Sequence, residues 1–165
     1  MLVKKILIII TMMIVITVSA FADHPKGLGI GLVGGYYGGW QNKGYAHYGL
    51  SLKVPKVPIF WGINLHITDS VFSLGVTGDK YFVDSKLLSE IKLNWYLGLG
   101  AYGGISFSEE PSFTVGLRVP IGLSWQPVPI FELFLDIAPS LGFTINPIHF
   151  PSGGFPIEFG FRLWV

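Results

Sequence analysis

The chain has 165 residues, of which only 13% are charged, about half of the roughly 25% that is usual in soluble domains. It contains 22 glycines and no cysteine, half of its residues are hydrophobic, and its formal net charge is +1. This composition excludes a disordered tail, a coiled coil, a disulfide framework and a Cys-ligated metal site, and it lacks the basic footprint of a nucleic-acid binder.

Residues 1–22 have the pattern of a secretory signal peptide. Two early lysines precede an apolar stretch from Ile6 to Val18, and Ala20-Phe21-Ala22 supplies the small residues that a signal peptidase reads. An uncleaved membrane anchor is the alternative, but the apolar stretch is shorter than the ~20 residues that a spanning helix needs. We therefore predict cleavage after Ala22, with residues 23–165 forming a single exported domain.

From residue 27 onward, apolar residues alternate with small or polar ones. The clearest run is Phe113–Trp125, whose 13 residues have an apolar residue at every second position. A mean globular strand has about 5–6 residues, whereas a tilted strand that spans a membrane needs ~9–11. We predict eight such strands: Gly27–Tyr37, Gly44–Val54, Ile59–Thr68, Val71–Tyr81, Ser89–Tyr102, Phe113–Trp125, Ile130–Phe143 and Pro156–Val165.

Eight alternating strands predict an all-β fold, a closed antiparallel up-and-down transmembrane β-barrel. Bacterial single-chain barrels have an even number of strands, and closure satisfies every backbone group within lipid. The apolar faces should then point outward. A soluble barrel of the lipocalin kind is the alternative, but the glycine-rich face carries too few charges to meet water.

The lumen of an eight-stranded barrel is filled by side chains, and inward glycines make room for long charged neighbours. A register with Trp125 opposite Phe131 brings Arg118 diagonally within reach of Asp136. The charged residues with inward parity nearly balance in sign, so we expect a structural ion network in the lumen. Its predicted members are Lys53, Lys92, Arg118, Glu132, Asp136, Glu158 and Arg162.

The connections between the strands predict the orientation of the barrel. The tight turns at 55–58 and 126–129 should be periplasmic, and the longer connections at 38–43, 104–112 and 144–155 should face the outside. Aromatic residues near both ends of the strands suit two girdles at the membrane interfaces. They are Trp61, Trp125 and Phe131 at one end and Tyr36, Tyr37, Trp40, Tyr45 and Tyr102 at the other.

Three segments of the second half, Tyr96–Gly104, Gly116–Ser124 and Glu132–Gly142, resemble a family of small, uncharacterised outer-membrane β-barrels of diderm bacteria. The upstream segment Leu74–Asp79 is similar to the same family. The resemblance implies an eight-stranded barrel like the OmpA transmembrane domain, with no assigned chemistry. It also implies outer-membrane lipid and the barrel-insertion machinery as partners.

Two glycine patterns, Gly29-x-Gly31-x-x-Gly34 and Gly98-x-Gly100-x-x-Gly103, match a dinucleotide-binding fingerprint. That chemistry requires a helix N-terminus at the phosphates and an acidic residue about 20 positions later. Neither copy precedes a predicted helix, so we interpret these glycines as inward barrel positions and expect no cofactor.

Histidines and acidic pairs are the remaining candidates for chemistry. The turn at 55–58 makes His47 and His66 cross-strand neighbours, which leaves open a metal site or a hydrogen-bonded pair, although no third ligand stands out. Glu109-Glu110 and His149 are expected in solvated loops. No Gly-x-Ser-x-Gly or His-Glu-x-x-His motif is present, so we expect no enzyme.

The sequence therefore predicts a monomeric outer-membrane barrel with a structural or surface-interaction role and no catalysis. One alternative is a host- or ligand-binding barrel that uses Tyr36, Tyr37, Trp40 and the 144–155 loop for an unidentified extracellular partner. A lipid-modifying barrel enzyme and a narrow pore are further alternatives. Nucleic acid is not an expected partner.

Overall fold

The computed structural model describes residues 24–40, 44–68 and 70–165. Ala22 lies outside the described residues, so cleavage after it stays a prediction. All regular structure in the described residues is β-strand. These residues contain no helix that is long and apolar enough to cross a membrane. The strands are β1 (Gly29–Gly39), β2 (Tyr45–Lys53), β3 (Phe60–Ile67), β4 (Phe72–Leu88), β5 (Leu93–Phe107), β6 (Ser112–Arg118), β7 (Ile121–Val128), β8 (Phe131–Ile137), β9 (Ser140–Ile145) and β10 (His149–Trp164).

The strands form one closed antiparallel barrel. Strands β1 to β5 pair in chain order, β5 pairs with both β6 and β7, and these pair with β9 and β8 respectively. Both β8 and β9 pair with β10, which returns to β1 and closes the ring. Strands β6 and β7 lie end to end and together fill one place in the ring, and β8 and β9 do the same. The ring therefore has eight places, as predicted.

Two prolines explain why the sixth and seventh predicted strands are each divided. Pro120 separates β6 from β7, and Pro139 separates β8 from β9. Proline has no N–H to donate to a ladder. The sheet stays continuous because the Val119 N–H donates to the Pro139 carbonyl at 2.9 Å.

Several strand bounds and one register differ from the prediction. Strand β4 continues to Leu88 and β10 begins at His149, so the connections at 89–92 and 146–148, which lie at opposite ends of the barrel, are shorter than expected. Between β7 and β8, Trp125 lies opposite Leu133 rather than Phe131. A bulge between Trp125 and Val128 makes the hairpin irregular, and the sequence alternation reveals neither the bulge nor the shifted register.

The barrel has two distinct ends, which we call the turn end and the loop end. The turn end carries the connections at 54–59, 89–92 and 129–130 and the start of β1. At the loop end lie Trp40, Gly44, Thr68 and Ser70, together with the connections at 108–111 and 146–148.

Alternate side chains face opposite environments along each strand. On β6, Leu117 is 60% exposed and its neighbour Arg118 is 4% exposed. The outer surface is a continuous band of aliphatic and aromatic side chains, whereas most buried side chains are polar or charged. The barrel is thus inverted relative to a water-soluble domain, in which apolar side chains fill the inside.

Candidate functional site

The lumen contains six of the seven residues predicted for the ion network. The exception is Lys92, which is exposed in the turn between β4 and β5 with a φ of 55°. Strand β5 begins one residue later, so strand parity does not apply to Lys92. Lys53 lies at the turn end, where its ammonium donates to the Val54 carbonyl at 3.1 Å and faces the Phe60 ring.

A first ion cluster occupies the turn-end half of the lumen and centres on Glu132. Arg162 Nη1 donates to Glu132 Oε1 at 3.0 Å, and Trp164 Nε1 donates to Glu132 Oε2 at 2.9 Å. The Arg162 guanidinium also donates to Ser51 Oγ at 2.8 Å and stacks 4.0 Å from the Phe134 ring centroid. The Phe60 ring centroid lies 4.8 Å from the same guanidinium.

His24, just before β1, extends this cluster and closes the turn end. Its Nδ1 lies 2.6 Å from Asp84 Oδ2 and its Nε2 lies 3.0 Å from Glu132 Oε1. Three aromatic rings surround the imidazole at centroid distances of 5.1 to 5.7 Å. They belong to Phe60, Tyr81 and Tyr96.

The two carboxylates hold His24 in its protonated form. Burial lowers the pKa of His24, but the charge of Glu132 and the hydrogen bonds that His24 donates to Asp84 and Glu132 outweigh burial and raise that pKa to about 9. Protonated His24 and the carboxylates of Asp84 and Glu132 therefore form an ion triad at the turn end.

A second cluster lies nearer the middle of the barrel and centres on Arg118. Both terminal nitrogens of Arg118 donate to the Glu158 carboxylate, and its Nε lies 3.3 Å from Asp79 Oδ1. The expected contact of Arg118 with Asp136 is wrong. The register shift moves Asp136 toward the turn end, where it accepts from the Tyr96 hydroxyl at 2.7 Å.

Sequence reasoning missed three members of these clusters. Asp79 continues the inward parity of β4 and was detectable from alternation. Asp84 has the opposite parity, and it faces inward because a bulge between Tyr81 and Val83 reverses the faces of β4. His24 precedes every strand and carries no periodic signal.

Above the Arg118 cluster, a cavity of about 340 Å³ opens at the loop end. One wall, formed by β1 to β3, is aromatic. The Tyr37 ring stacks on Tyr45 at 5.0 Å, and Tyr45 in turn lies 4.1 Å from the His66 ring. Tyr102 also lines the cavity. Tyr37, Tyr45 and Tyr102 therefore do not belong to the predicted outer girdle, whereas Tyr36 faces outward and is 55% exposed.

The opposite wall of the cavity is a ladder of hydroxyl groups. The Ser73 and Ser106 hydroxyls lie 2.9 Å apart, and the Thr144 hydroxyl lies 3.1 Å from that of Thr114 and 2.8 Å from that of Ser152. Arg118, Glu158 and His47 line the bottom of the cavity. The result is an amphipathic chamber with an aromatic side and a hydroxylated side.

The two candidate histidines share the predicted register, since Tyr48 lies opposite Leu65, but they contact different groups. His47 is buried, with Nε2 3.4 Å from Glu158 Oε1, whereas His66 Nδ1 donates to the Ala46 carbonyl at 2.8 Å. Within the described ranges, no group of three His, Cys, Asp or Glu residues is placed to hold a metal ion.

The glycine patterns lie on β1 and β5, where glycine provides space for close packing. A Cβ on Gly31 would overlap the Phe161 carbonyl oxygen, and one on Gly98 would meet the Tyr81 ring at 2.8 Å. Glu109 and Glu110 are exposed in the β5–β6 loop, and His149 lies at the rim of the cavity.

These features define a class of protein, a small closed eight-stranded β-barrel with an apolar exterior and a charged, filled lumen. Neisserial surface protein A has a similar solved structure, with a TM-score of 0.64 at 13% identity over 84% of this chain and 97% of that chain. Ail, the attachment invasion locus protein of Yersinia pestis, matches at 12% identity with a TM-score of 0.43 over 83% and 95% of the two chains. No family model matches the chain, and the search of curated proteins found no significant match. The first match confirms the predicted fold.

Proposed function

We propose that the protein is a monomeric, non-conducting outer-membrane barrel that presents its loop end to the cell's surroundings, without catalysis. The observation that carries the proposal is the inverted distribution of side chains, with an apolar exterior and ion clusters inside. A closed ladder with an apolar outer face is the form in which β-strands cross a lipid bilayer.

The ends of the barrel support the orientation. In bacterial outer-membrane barrels, short turns are periplasmic and longer loops are extracellular. Trp61 and Trp125 lie on the outer face at the turn end, and the Trp125 indole N–H donates to the Ile91 carbonyl at 2.9 Å. Such amphipathic rings suit the level of the lipid headgroups.

The contacts of the histidines support a role without catalysis. A hydrolase or acyltransferase needs a nucleophile within hydrogen-bond reach of a base. In the described ranges, His24 and His47 contact carboxylates and His66 contacts a backbone carbonyl.

Membrane fractionation combined with a heat-modifiability gel tests the proposal. We expect the protein in the outer-membrane fraction, and we expect the unboiled sample to migrate differently from the boiled one. Gly31→Val, which places a side chain against the Phe161 carbonyl, should abolish the folded band, whereas Gly75→Ala, whose Cβ makes only ordinary van der Waals contacts, should retain it. A soluble periplasmic product would refute the proposal.

A second candidate function is recognition of a host or ligand through the loops. It is favoured by apolar side chains at the tip of the β9–β10 hairpin, where Ile148 is 87% exposed and Phe150 stacks on Phe143. If this surface binds a host cell, Ile148→Ser should reduce the adhesion of bacteria that express the barrel. Val57→Ser, an exposed change at the turn end, should not reduce it.

A further inference from the structure

We propose that the loop-end cavity binds an uncharged sugar residue. The inference goes beyond the proposed function, and it depends on the proposed orientation only for the side of the membrane from which the sugar comes. It rests on the size of the cavity, the chemistry of its two walls, the charge balance at its bottom and two polar atoms that make no hydrogen bond.

The size of the cavity suits a small ligand. Its volume of about 340 Å³ lies at the lower end of the ~300–1,000 Å³ that is usual for small-molecule sites. The ion cluster of Arg118, Glu158 and Asp79 blocks the cavity from below, so a ligand can enter only through the loop end.

The two walls match the two surfaces of a sugar ring. A pyranose has a face of C–H groups, which packs on the electron-rich face of an aromatic ring, and edges of hydroxyl groups. The stacked rings of Tyr37, Tyr45 and His66 form the aromatic wall. The hydroxyls of Thr114 and Thr144 stand on the opposite wall and can both donate and accept hydrogen bonds.

The charges at the cavity argue for a neutral ligand. Among the described residues that line it, Arg118 and Glu158 are the only Lys, Arg, Asp or Glu side chains, and they are paired with each other. A charged ligand would have to compete with this buried pair, whereas a hydroxyl group would not.

Two polar atoms in the lining make no hydrogen bond to the described residues: Asn64 Oδ1, and His47 Nε2, whose nearest contact is Glu158 Oε1 at 3.4 Å. His47 is only 5% exposed, and its contact with Glu158 is long. Buried polar atoms are usually satisfied, and a ligand hydroxyl group can satisfy either a donor or an acceptor. These atoms therefore mark the inner end of the site.

The test is titration calorimetry on the full mature chain, refolded in detergent micelles and checked by heat modifiability. The probes are neutral monosaccharides, the same sugars at the end of neutral oligosaccharides, and choline and inorganic phosphate as charged comparators. We expect saturable binding of at least one neutral sugar. Binding of the free sugar indicates a diffusing ligand, and binding only of the oligosaccharide indicates the end of a glycan.

Matched variants localise the binding to the cavity. Tyr45→Ala should weaken it by about tenfold, and Tyr45→Phe should retain most of it, because the Tyr45 ring lies between Tyr37 and His66 and holds the aromatic wall in place. Tyr48→Ala, three residues along the same strand on the lipid-facing side, should leave it unchanged. No saturable binding to the folded barrel, equal weakening by Tyr48→Ala, or preference for choline or phosphate would each overturn the inference. The proposed function would survive these outcomes, since it is tested by membrane location.

Discussion

At the scale of single residues, Leu117 and Arg118 are adjacent in the chain but face opposite environments. Leu117→Arg places a guanidinium in hydrocarbon, and we expect a loss of about 2–4 kcal/mol in the free energy of unfolding. Reversible urea unfolding in lipid vesicles, followed by tryptophan emission, measures the loss. Leu117→Met is the neutral control, and a harmless Leu117→Arg would mean that this face does not contact lipid.

The partners of Arg118 can be distinguished by a double-mutant cycle. Arg118→Leu leaves Glu158 without its main partner, and breaking a buried pair costs about 3–5 kcal/mol. We expect the double variant with Glu158→Leu to recover much of this loss, because both charges of the pair are then removed. The double variant with Asp136→Leu should recover little, because Asp136 accepts from Tyr96 instead. Equal recovery in the two double variants would contradict the observed pairing.

His24 predicts a pH dependence of stability. Because the pKa of His24 is raised from 6.5 to about 9 in the folded state, its stabilisation is complete below pH 6.5 and is lost as the pH rises through 9. Urea unfolding between pH 6 and 9.5 should show this fall in the free energy of unfolding. His24→Asn should remove this dependence of the free energy of unfolding on pH. The other titratable groups that face His24, which are Asp84, Glu132, Tyr81 and Tyr96, are present in both proteins and serve as the common background. Identical slopes in the two proteins would exclude His24 as the cause.

At the scale of elements, glycine positions decide where the lumen can be filled. A Cβ on Gly122 of β7 would lie 2.5 Å from the Tyr96 ring and 2.6 Å from Asp136, whereas one on Gly75 of β4 would meet no atom closer than 3.8 Å. We expect Gly122→Ala to destabilise the barrel by about 1–3 kcal/mol through overpacking, and Gly75→Ala to be tolerated. Urea midpoints in vesicles compare the two variants. Equal midpoints would show that the Tyr96 ring can move aside.

At the scale of the whole molecule, two ion clusters and the aromatic rings around His24 fill the lumen below the loop-end cavity. We expect no sustained conductance when the barrel is reconstituted in a planar bilayer at moderate salt, because an eight-stranded barrel leaves no free channel. His24→Ala opens only the turn end, and it should remain silent because the Arg118 cluster is intact. A steady open level that Arg118→Ala abolishes would instead indicate a gated pore.

Strand parity is a local property, so the sequence by itself determined the number of ring positions, the outward face of each unbroken stretch of strand and the inward position of six charged residues. A side-chain period of two holds along any unbroken strand, which is why Leu117 and Arg118 were assigned to the correct faces. Register, bulges and segments outside the strands depend on contacts between distant parts of the chain. Only the tertiary structure therefore decided that Arg118 pairs with Glu158, that a bulge turns Asp84 inward, that His24 closes the turn end and that Tyr37 and Tyr45 form the wall of a cavity.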